Sequence, residues 1–332
     1  MNHNGKDELE SIAHTLLQPT GDEGVFARTA LFDKVIEGLS TLITRIREPD
    51  AEILRFPPVM SRKHLEKSGY LHSFPHLLGC VSCLHGEESD VRALVEGRDP
   101  DRDWVAGLSA TDLVLSPAAC YPLYPLVADR GRVPSKSLLF DVASYCFRRE
   151  RSFEIDRLQA FQMREFVCVG TSEQALDLQA RWKSRAQRLA KRLALPHTIA
   201  PASDPFFGRA GKLMAMSQIQ QSLKFELLIP VHSEQLPTAC MSFNYHRDHF
   251  GTTWDLVTEG GEIAHTACVA FGLDRLALAL FATHGLDLQA WPVVVRETLW
   301  SDWYDDLDSE TIPEAAQHKN GASPRVNIAV GK

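Results

Sequence analysis

Two apolar-rich stretches, residues 138–147 and 158–169, flank a charged segment that runs from residue 148 to residue 157. This order predicts a long antiparallel hairpin, which constrains the fold more than any other part of the chain. Charged residues also lie at the base of the hairpin, where strand residues are normally buried: Arg148, Glu150, Arg164 and Glu165. Buried charges are costly unless they meet a ligand or each other. The simplest alternative is a solvated hairpin with a ladder of ion pairs. We favour a binding site because two other segments of the chain, described below, have features that fit the same kind of site.

Composition limits the classes of protein that the chain can represent. Its 332 residues are 44% hydrophobic, which is enough for a sizeable core, and the formal net charge of -8 argues against a general polyanion binder. We find no apolar run of membrane-spanning length and no secretory signal pattern, so we expect a cytoplasmic protein without a membrane partner. Seven scattered cysteines, an odd number, do not indicate a disulfide framework. We expect them to be core residues or metal ligands.

Two further segments have a distinctive order of elements. Residues 28–47 carry apolar side chains at the spacing of one helix face, and a short strand follows that ends at Pro57 and Pro58. Residues 265–285 predict a strand, a turn at Gly272 and an apolar helix with Arg275 in its first turn. An arginine there opposes the helix dipole unless it meets an anion at the N-terminus. Each segment alone is also compatible with an ordinary strand–helix edge.

A basic helix is predicted over residues 172–195. Its arginines recur at helical spacing beside the apolar face: Arg181, Arg185, Arg188 and Arg192. Such a run is usually a solvated face. In an acidic chain, a segregated basic helix also suits docking to an acidic partner.

Three other patterns carry weaker predictions. Cys80 and Cys83 form a CxxC pair without a second pair at zinc-finger spacing, so we expect them to be buried structural cysteines. Residues 213–231 are interpreted as strands. Ser242, Asn244, His246 and Asp248 alternate along one predicted strand, so they share a polar face that lines a pocket or meets solvent.

The three ordered segments together resemble the motifs of class II aminoacyl-tRNA synthetases. Residues 28–58 resemble motif 1, residues 147–166 resemble motif 2, and residues 272–275 resemble motif 3. The resemblance implies an α+β class II synthetase catalytic fold, with a central antiparallel sheet flanked by helices, and a homodimer. We expect a flexible segment at residues 1–24, a catalytic domain at 25–305 and a disordered tail at 306–332, which is poor in apolar residues.

A narrower resemblance concerns the segments SGYLHSFP, SPAACYPLYP and FQMREFVCVGT. They are similar to the atypical zinc-dependent seryl-tRNA synthetases of methanogens. That likeness implies that Cys120, Glu165 and Cys268 bind one zinc ion per subunit. Two thiolates and a carboxylate leave one tetrahedral position open, which is typical of a catalytic or substrate-binding zinc. Taken singly, each cysteine is equally compatible with core packing.

Motif 1 begins about two dozen residues into the chain, so we expect no large N-terminal tRNA-binding domain. A bare catalytic core resembles the amino acid:[carrier protein] ligases. These enzymes activate an amino acid with ATP and load it onto the phosphopantetheine of a small acidic carrier protein, for which the basic helix is the expected docking element. One alternative is a truncated seryl-tRNA synthetase paralogue that acts on tRNA. Another is an inactive regulatory paralogue, against which the retained Arg148 and Arg275 argue.

The resemblance also implies roles for the site residues. Arg148 would bind the α-phosphate and the substrate carboxylate, and Glu150 would contact the adenine amino group. Phe161 and Arg275 would stack on the two adenine faces. Mg²⁺ would accompany ATP, with Glu226 or Glu234 as its candidate ligand.

Substrate choice is predicted less sharply. The open zinc position would take the α-amino group, and Ser242, Asn244 and Met216 are candidate pocket residues. Glycine is favoured over alanine and serine, although one methyl group changes the binding free energy by only ~1–3 kcal/mol. The loop at residues 151–156 is expected to face the incoming thiol or to close over ATP. Arg164, on the strand face opposite Glu165, is expected to form a structural ion pair.

Overall fold

A computed structural model describes residues 12, 14–96, 104–152, 154–232 and 235–301. Its strands are β1 Leu17–Pro19, β2 Phe26–Arg28, β3 Glu52–Arg55, β4 Val59–Ser61, β5 Cys80–Leu84, β6 Leu108–Leu115, β7 Leu138–Phe147, β8 Ala160–Gly170, β9 Thr198–Pro201, β10 Lys224–Ile229, β11 Thr238–Arg247 and β12 His265–Gly272. Its helices are α1 Ala30–Ile46, α2 Arg62–Lys67, α3 Tyr70–Ser73, α4 Glu88–Glu96, α5 Leu123–Ala128, α6 Ser172–Arg192, α7 Gly208–Gln220, α8 His249–Trp254, α9 Leu273–His284 and α10 Val293–Trp300. Short 3₁₀ turns lie at Pro75–Leu77 and Trp104–Gly107.

A seven-stranded sheet in the order β3-β7-β8-β12-β11-β10-β9 forms the centre of the molecule. The predicted hairpin is β7–β8, paired from Leu138 opposite Val169 to Phe147 opposite Ala160. The expected α+β class is therefore confirmed. The expectation of a purely antiparallel sheet needs one correction, because β3 pairs in parallel with β7. A three-stranded sheet, β4-β6-β5, and the β1–β2 pair lie outside the central sheet.

Helix α1 forms where the apolar spacing predicts it. Phe32, Val35, Leu39 and Leu42 are fully buried along one face, which is how an amphipathic helix joins a core. The chain then enters β3 and leaves it before Pro57 and Pro58. The predicted order of helix, strand and proline is confirmed.

The largest hydrophobic cluster of the described residues packs on one face of the central sheet. Trp182 of α6 is fully buried and lies 4.8 Å from the Phe166 ring and 5.7 Å from the Phe271 ring, measured between centroids. Both phenylalanines point to this face because alternate residues of a strand point the same way. The opposite face carries a second buried apolar cluster, which includes Val167 and Val169, and beside it the polar residues that form the site described below.

Two predictions about local structure are wrong. Residues 208–220, partly interpreted as a strand, form helix α7. Cys80 and Cys83 are exposed on β5 rather than buried, because the small sheet that carries them leaves them at the surface. Within the segment expected to be flexible, Leu16 and Leu17 are buried and β1 pairs with β2. Residues 1–11 of that segment and the tail from residue 302 lie outside the described residues.

No helix among the described residues is both long and apolar enough to cross a membrane.

Candidate active site

A cavity of about 230 Å³ opens over the polar face of the central sheet. Register explains why one face collects the site residues: Glu226 pairs with Ser242, Ser242 with Ala270, and Ala270 with Glu165 across four strands. The adjacent row pairs Lys224 with Asn244 and Asn244 with Cys268. Because positions two apart on a strand share a face, both rows point into the cavity. Loop residues complete the lining, among them Cys120, Arg148, Asp156 and Asp204.

The inner end of the cavity holds a group that can ligate a metal. One potential ligand atom from each of Cys120, Glu165 and Cys268 lies within 4.8 Å of the others, and all three residues are buried. Glu165 is on β8, Cys268 is on β12, and Cys120 lies in the turn before α5. The backbone N–H of Cys120 donates to Glu165 Oε1 at 3.1 Å, which fixes the turn against the sheet. The structure therefore brings the three predicted ligands together.

The electrostatics of this group favour a bound cation. The hydrogen bond with Cys268 raises the pKa of Cys120 well above its ordinary value, with burial and the nearby Glu165 acting in the same direction. The pKa of Cys268 is also raised: the hydrogen bond with Cys120 lowers it, but burial and Glu165 outweigh that effect. Two buried thiols beside a carboxyl group resist ionisation unless a positive ion compensates them. The residues present fit a divalent metal.

Neighbouring polar side chains are directed at the same group. Asn244 Nδ2 lies 3.3 Å from Cys268 Sγ, and His246 Nε2 lies 3.6 Å from the same sulfur. Burial lowers the pKa of His246 to about 4, so its ring is neutral at physiological pH. The Tyr124 hydroxyl is buried and has no hydrogen bond of ordinary geometry among the described residues. Cys120 nevertheless lies near enough to raise the pKa of Tyr124, after the larger effect of burial.

Arg148 lies where the hairpin enters the cavity. Its Nε donates to the Pro117 carbonyl at 2.9 Å, and its guanidinium carbon lies 5.4 Å from the centre of the Phe161 ring. Burial opposes its charge, but Tyr70, Cys146 and neighbouring acids outweigh this and raise the pKa of Arg148. The hairpin thus presents a fixed cation beside an aromatic surface.

Arg275 occupies the predicted first turn of α9. Its Nε donates to the Asp156 carbonyl at 2.8 Å, and its Nη1 donates to the Ala239 carbonyl at 3.1 Å. The Asp156 side chain is held by His232 Nε2 at 2.9 Å and by the Thr238 hydroxyl at 2.5 Å. Burial would raise the pKa of Asp156, but these two hydrogen bonds and nearby positive charge lower it to about 2. The end of the hairpin loop is therefore tied to the motif 3 junction.

Two of the acidic residues expected to contact ATP or Mg²⁺ have cationic partners. Glu150 lines the cavity and lies 3.7 Å from Arg157. Glu226 forms an ion pair with Lys224 at 3.0 Å, and Lys224 also forms one with Asp204 at 2.6 Å. A magnesium ion at Glu226 would therefore share this carboxylate with the Lys224 ammonium.

The remaining predicted residues fall in different places. Ser242 and Asn244 line the cavity, but Met216 is 57% exposed on α7 and is not a cavity residue, so that prediction is wrong. Glu234 lies outside the described residues. Arg164 donates from Nε to Asp141 at 2.7 Å, with both side chains buried, which confirms the predicted ion pair beneath the site.

The arginines of α6 face other parts of the fold. Arg185 and Arg181 lie 2.9 Å and 3.3 Å from the carboxylate of Glu48, which is buried and also accepts from Trp182 Nε1 at 2.7 Å. Arg192 donates to the Thr298 hydroxyl at 3.2 Å, and Arg188 is half-buried. Docking by these residues stays a prediction, although at least three of them already have partners within the chain.

Sequence reasoning missed several residues of the site. Asp156, Asp204, Lys224 and Tyr121 line the cavity, and Asp156 and Asp204 lie in loops without a local motif. Lys224 at the start of β10 was the one available signal, because a buried lysine requires a partner.

The geometry and the solved structures together define a class II synthetase fold. No protein-family model matches the chain. The structure of Methanopyrus kandleri SerRS in complex with Aquifex aeolicus tRNASec superposes with a TM-score of 0.75 at 21% identity, covering 90% of this chain and 60% of that one. Pyrococcus horikoshii seryl-tRNA synthetase complexed with ATP gives a TM-score of 0.58 at 16% identity, covering 85% of this chain and 58% of that one. Both likenesses establish the expected fold.

Relatives with higher sequence identity show which family of proteins with this fold the chain belongs to. "Amino acid--[acyl-carrier-protein] ligase 2" of Bradyrhizobium diazoefficiens is 58% identical over 293 residues, covering 88% of each protein. Ligase 1 of the same organism is 59% identical over 293 residues, covering 88% of this chain and 90% of that protein. The type-2 serine–tRNA ligase of Methanopyrus kandleri is 29% identical over 200 residues, which is 56% of this chain and 37% of that protein. The chain belongs to the amino acid–[acyl-carrier-protein] ligase family, and it is a ligase.

Proposed function

We propose that this ligase activates a small amino acid with ATP as an aminoacyl-adenylate and transfers it to the phosphopantetheine thiol of an acidic carrier protein. One observation supports this above the others: a single cavity joins a buried Cys–Glu–Cys group to Arg148 and Arg275. The relatives' names support an acyl-carrier-protein partner. Glycine is the favoured substrate, with alanine and serine as the alternatives.

Adenylation requires two anions to approach each other, the amino-acid carboxylate and the α-phosphate. Arg148 is suited to bridge them because a planar guanidinium donates to both groups and is already fixed by Pro117. Phe161 would hold one adenine face and Arg275 the other, with Glu150 accepting from the adenine amino group. Holding the two reactants in this way would accelerate the reaction by proximity, and no covalent intermediate on the protein would be needed.

Cys120, Glu165 and Cys268 would hold a zinc ion. When bound, zinc would supply one open coordination position that accepts an uncharged α-amino group. Ser242 and Asn244 lie beside this end of the cavity, where the substrate side chain would point. The three ligands would thereby select amino acids over acids that lack an amino group.

Transfer requires the carrier protein to bring its thiol to the cavity, and α7 offers the surface best suited to dock it. Leu213, Met214 and Met216 are 69%, 47% and 57% exposed on this helix, next to the exposed cations Arg209 and Lys212. An apolar patch with basic residues complements an acidic helical partner. Gln218 and Asp204 connect this helix to the cavity wall.

The test of function is ATP–pyrophosphate exchange with individual amino acids, followed by transfer to a phosphopantetheine-bearing carrier or to tRNA. We expect exchange with glycine above the others and transfer to the carrier only. Exchange with none of the amino acids would refute adenylation. Transfer to tRNA with none to the carrier would favour the synthetase alternative.

The zinc assignment has its own measurement. We expect about one zinc per subunit in the purified protein and its loss in Cys120→Ala, because removing one of three protein ligands leaves too few. Cys240→Ala is the matched control, since Cys240 is equally buried but lies on the cavity wall outside the ligand group. Unchanged zinc content in Cys120→Ala would rule out this ligand set.

A further inference from the structure

The two sulfurs of the metal-ligating group have different surroundings. Cys268 Sγ has two side-chain nitrogens against it, Asn244 Nδ2 at 3.3 Å and His246 Nε2 at 3.6 Å. Both come from β11, whose register pairs Asn244 with Cys268 directly. The Asn244 amide also donates to the Ser242 hydroxyl at 3.1 Å, so its two hydrogens have separate acceptors. The register therefore positions Asn244, and His246 follows at the irregularity between Tyr245 and Arg247 on the same strand.

The state of the His246 ring follows from its other contact. Its Nδ1 lies 3.0 Å from the hydroxyl of Thr266, which is fully buried. A metal-bound cysteine is a thiolate and has no hydrogen to donate. His246 must then donate from Nε2 and accept the Thr266 hydrogen at Nδ1, since a neutral imidazole has one of each. Phe250 packs edge-on against the ring with centroids 5.0 Å apart and fixes its plane.

We propose that His246 and Asn244 are positioning residues that hold the Cys268 sulfur through N–H···S hydrogen bonds and reduce its electron donation to the bound metal. The proposal rests on the zinc-dependent function proposed above and assigns a further pair of residues to it. Two thiolates and a carboxylate bring three negative charges to a divalent ion. Two N–H donors on one sulfur offset part of that excess, so that the remaining position binds an amine more tightly.

A role for His246 as a fourth ligand is the main alternative. Within the described residues, the set of ligand atoms that lie within 4.8 Å of one another comprises Cys120, Glu165 and Cys268, without His246. The ring is also held back from that set by Thr266. The geometry therefore favours a donor to sulfur over a ligand to metal.

The test uses the full-length protein loaded with Co²⁺, which reports on its sulfur ligands through thiolate-to-cobalt charge-transfer absorption. His246→Leu removes the donor, His246→Gln keeps an N–H, and Asn244→Ala removes the second donor. His197→Gln, at the end of the chain segment after α6, is the matched control because this ring contacts the Leu195 carbonyl instead. Thermal unfolding establishes that each variant is folded.

We expect the charge-transfer band to move to lower energy in His246→Leu and Asn244→Ala, to return toward the wild-type position in His246→Gln, and to stay in place in the control. The KM for the amino acid should rise roughly 10-fold or more in His246→Leu, with the KM for ATP unchanged, since outer partners of metal ligands act on that scale.

Three results would overturn the proposal. One is an unchanged charge-transfer band in both folded, cobalt-loaded donor variants, even if activity falls. Another is the loss of a nitrogen ligand from the cobalt coordination in His246→Leu, which would make His246 a ligand. The third is the absence of metal binding by the wild-type protein, which would also remove zinc from the proposed function. The first two leave that function intact, so the two failures are distinguishable.

Discussion

Helices α6 and α7 lie close together in the chain, but they expose opposite kinds of side chain. The arginines of α6 are half-buried against the body of the protein, whereas Leu213 and Met216 of α7 are 69% and 57% exposed. One buried acid accounts for much of this difference. Glu48 lies two residues after the end of α1, and its carboxylate accepts hydrogen bonds from Arg181, Arg185 and Trp182. The charge of a helix therefore says little about its availability to a partner until the acids that face it are known.

Replacing Glu48 is the strongest test of this difference between α6 and α7. Glu48→Ala would leave Arg181 and Arg185 without their shared carboxylate and Trp182 Nε1 without its acceptor. Removing one partner of a buried charge cluster costs about 3–5 kcal/mol. We expect the free energy of unfolding in urea to fall by that amount. This outcome would identify α6 as an internal part of the fold.

Asp177→Ala is the matched control for the α6 prediction. Asp177 pairs with the same Arg181 at 3.3 Å, but its side chain is 64% exposed. Exposed ion pairs contribute about 0–1 kcal/mol, so this variant should unfold close to the wild type. Equal losses in the two variants, or none in Glu48→Ala, would mean that the buried carboxylate does not hold the helix.

The surface of α7 is expected to matter for transfer rather than for folding. In the double variant Leu213→Asp and Met216→Asp, the exposed apolar patch is lost and two negative charges would face the acidic carrier proposed above. Central apolar anchors contribute about 2 kcal/mol to an interface, which is roughly 30-fold in the KM for the carrier. ATP–pyrophosphate exchange should be unchanged.

Leu176→Asp controls for the introduction of charge, because Leu176 is an exposed leucine, 44% accessible, on α6. It should leave the KM for the carrier near the wild-type value. A larger effect from Leu176 than from the α7 pair would place docking on α6, as the sequence alone predicts. Reduced exchange in the α7 variant would instead indicate a disturbed cavity.

The same two helices mark how far sequence reasoning reaches. The hairpin and α1 were predictable because apolar spacing over ten or more residues is a strong local signal. Helix α7 was not, because its apolar residues form no stripe that packs on the core: of its residues, Gly211 is the buried one. Cys120, Glu165 and Cys268 were found only through the resemblance, since they are far apart in the chain. The pair formed by Asp204 and Lys224 joins a loop to β10, and no local sequence pattern specifies such a contact.

The attachment of α7 to the cavity gives the smallest expected effect. Asp204 accepts from Lys224 at 2.6 Å and from Gln218 Nε2 at 2.8 Å, and its backbone N–H donates to Gln218 Oε1 at 2.7 Å. Burial would raise the pKa of Asp204, but Lys224 and Gln218 outweigh it and lower the pKa below its ordinary value. Asp204→Asn should lower the free energy of unfolding at pH 7 by about 1 kcal/mol, because Lys224 keeps Glu226 as a partner.

The pH dependence of the free energy of unfolding distinguishes the loss of the Asp204 carboxylate from a general loss of packing. A carboxyl group whose pKa is lower in the folded state stabilises fully above the unfolded pKa of about 3.9 and loses that contribution as the pH falls through the folded value. The difference between wild type and Asp204→Asn should therefore be constant above pH ~5 and shrink below pH ~4. As the pH falls, the amide hydrogens of α7 in the wild type should lose their protection from exchange before those of α6 do. A difference that stays constant down to pH ~3 would mean that the Asp204 charge does not hold α7.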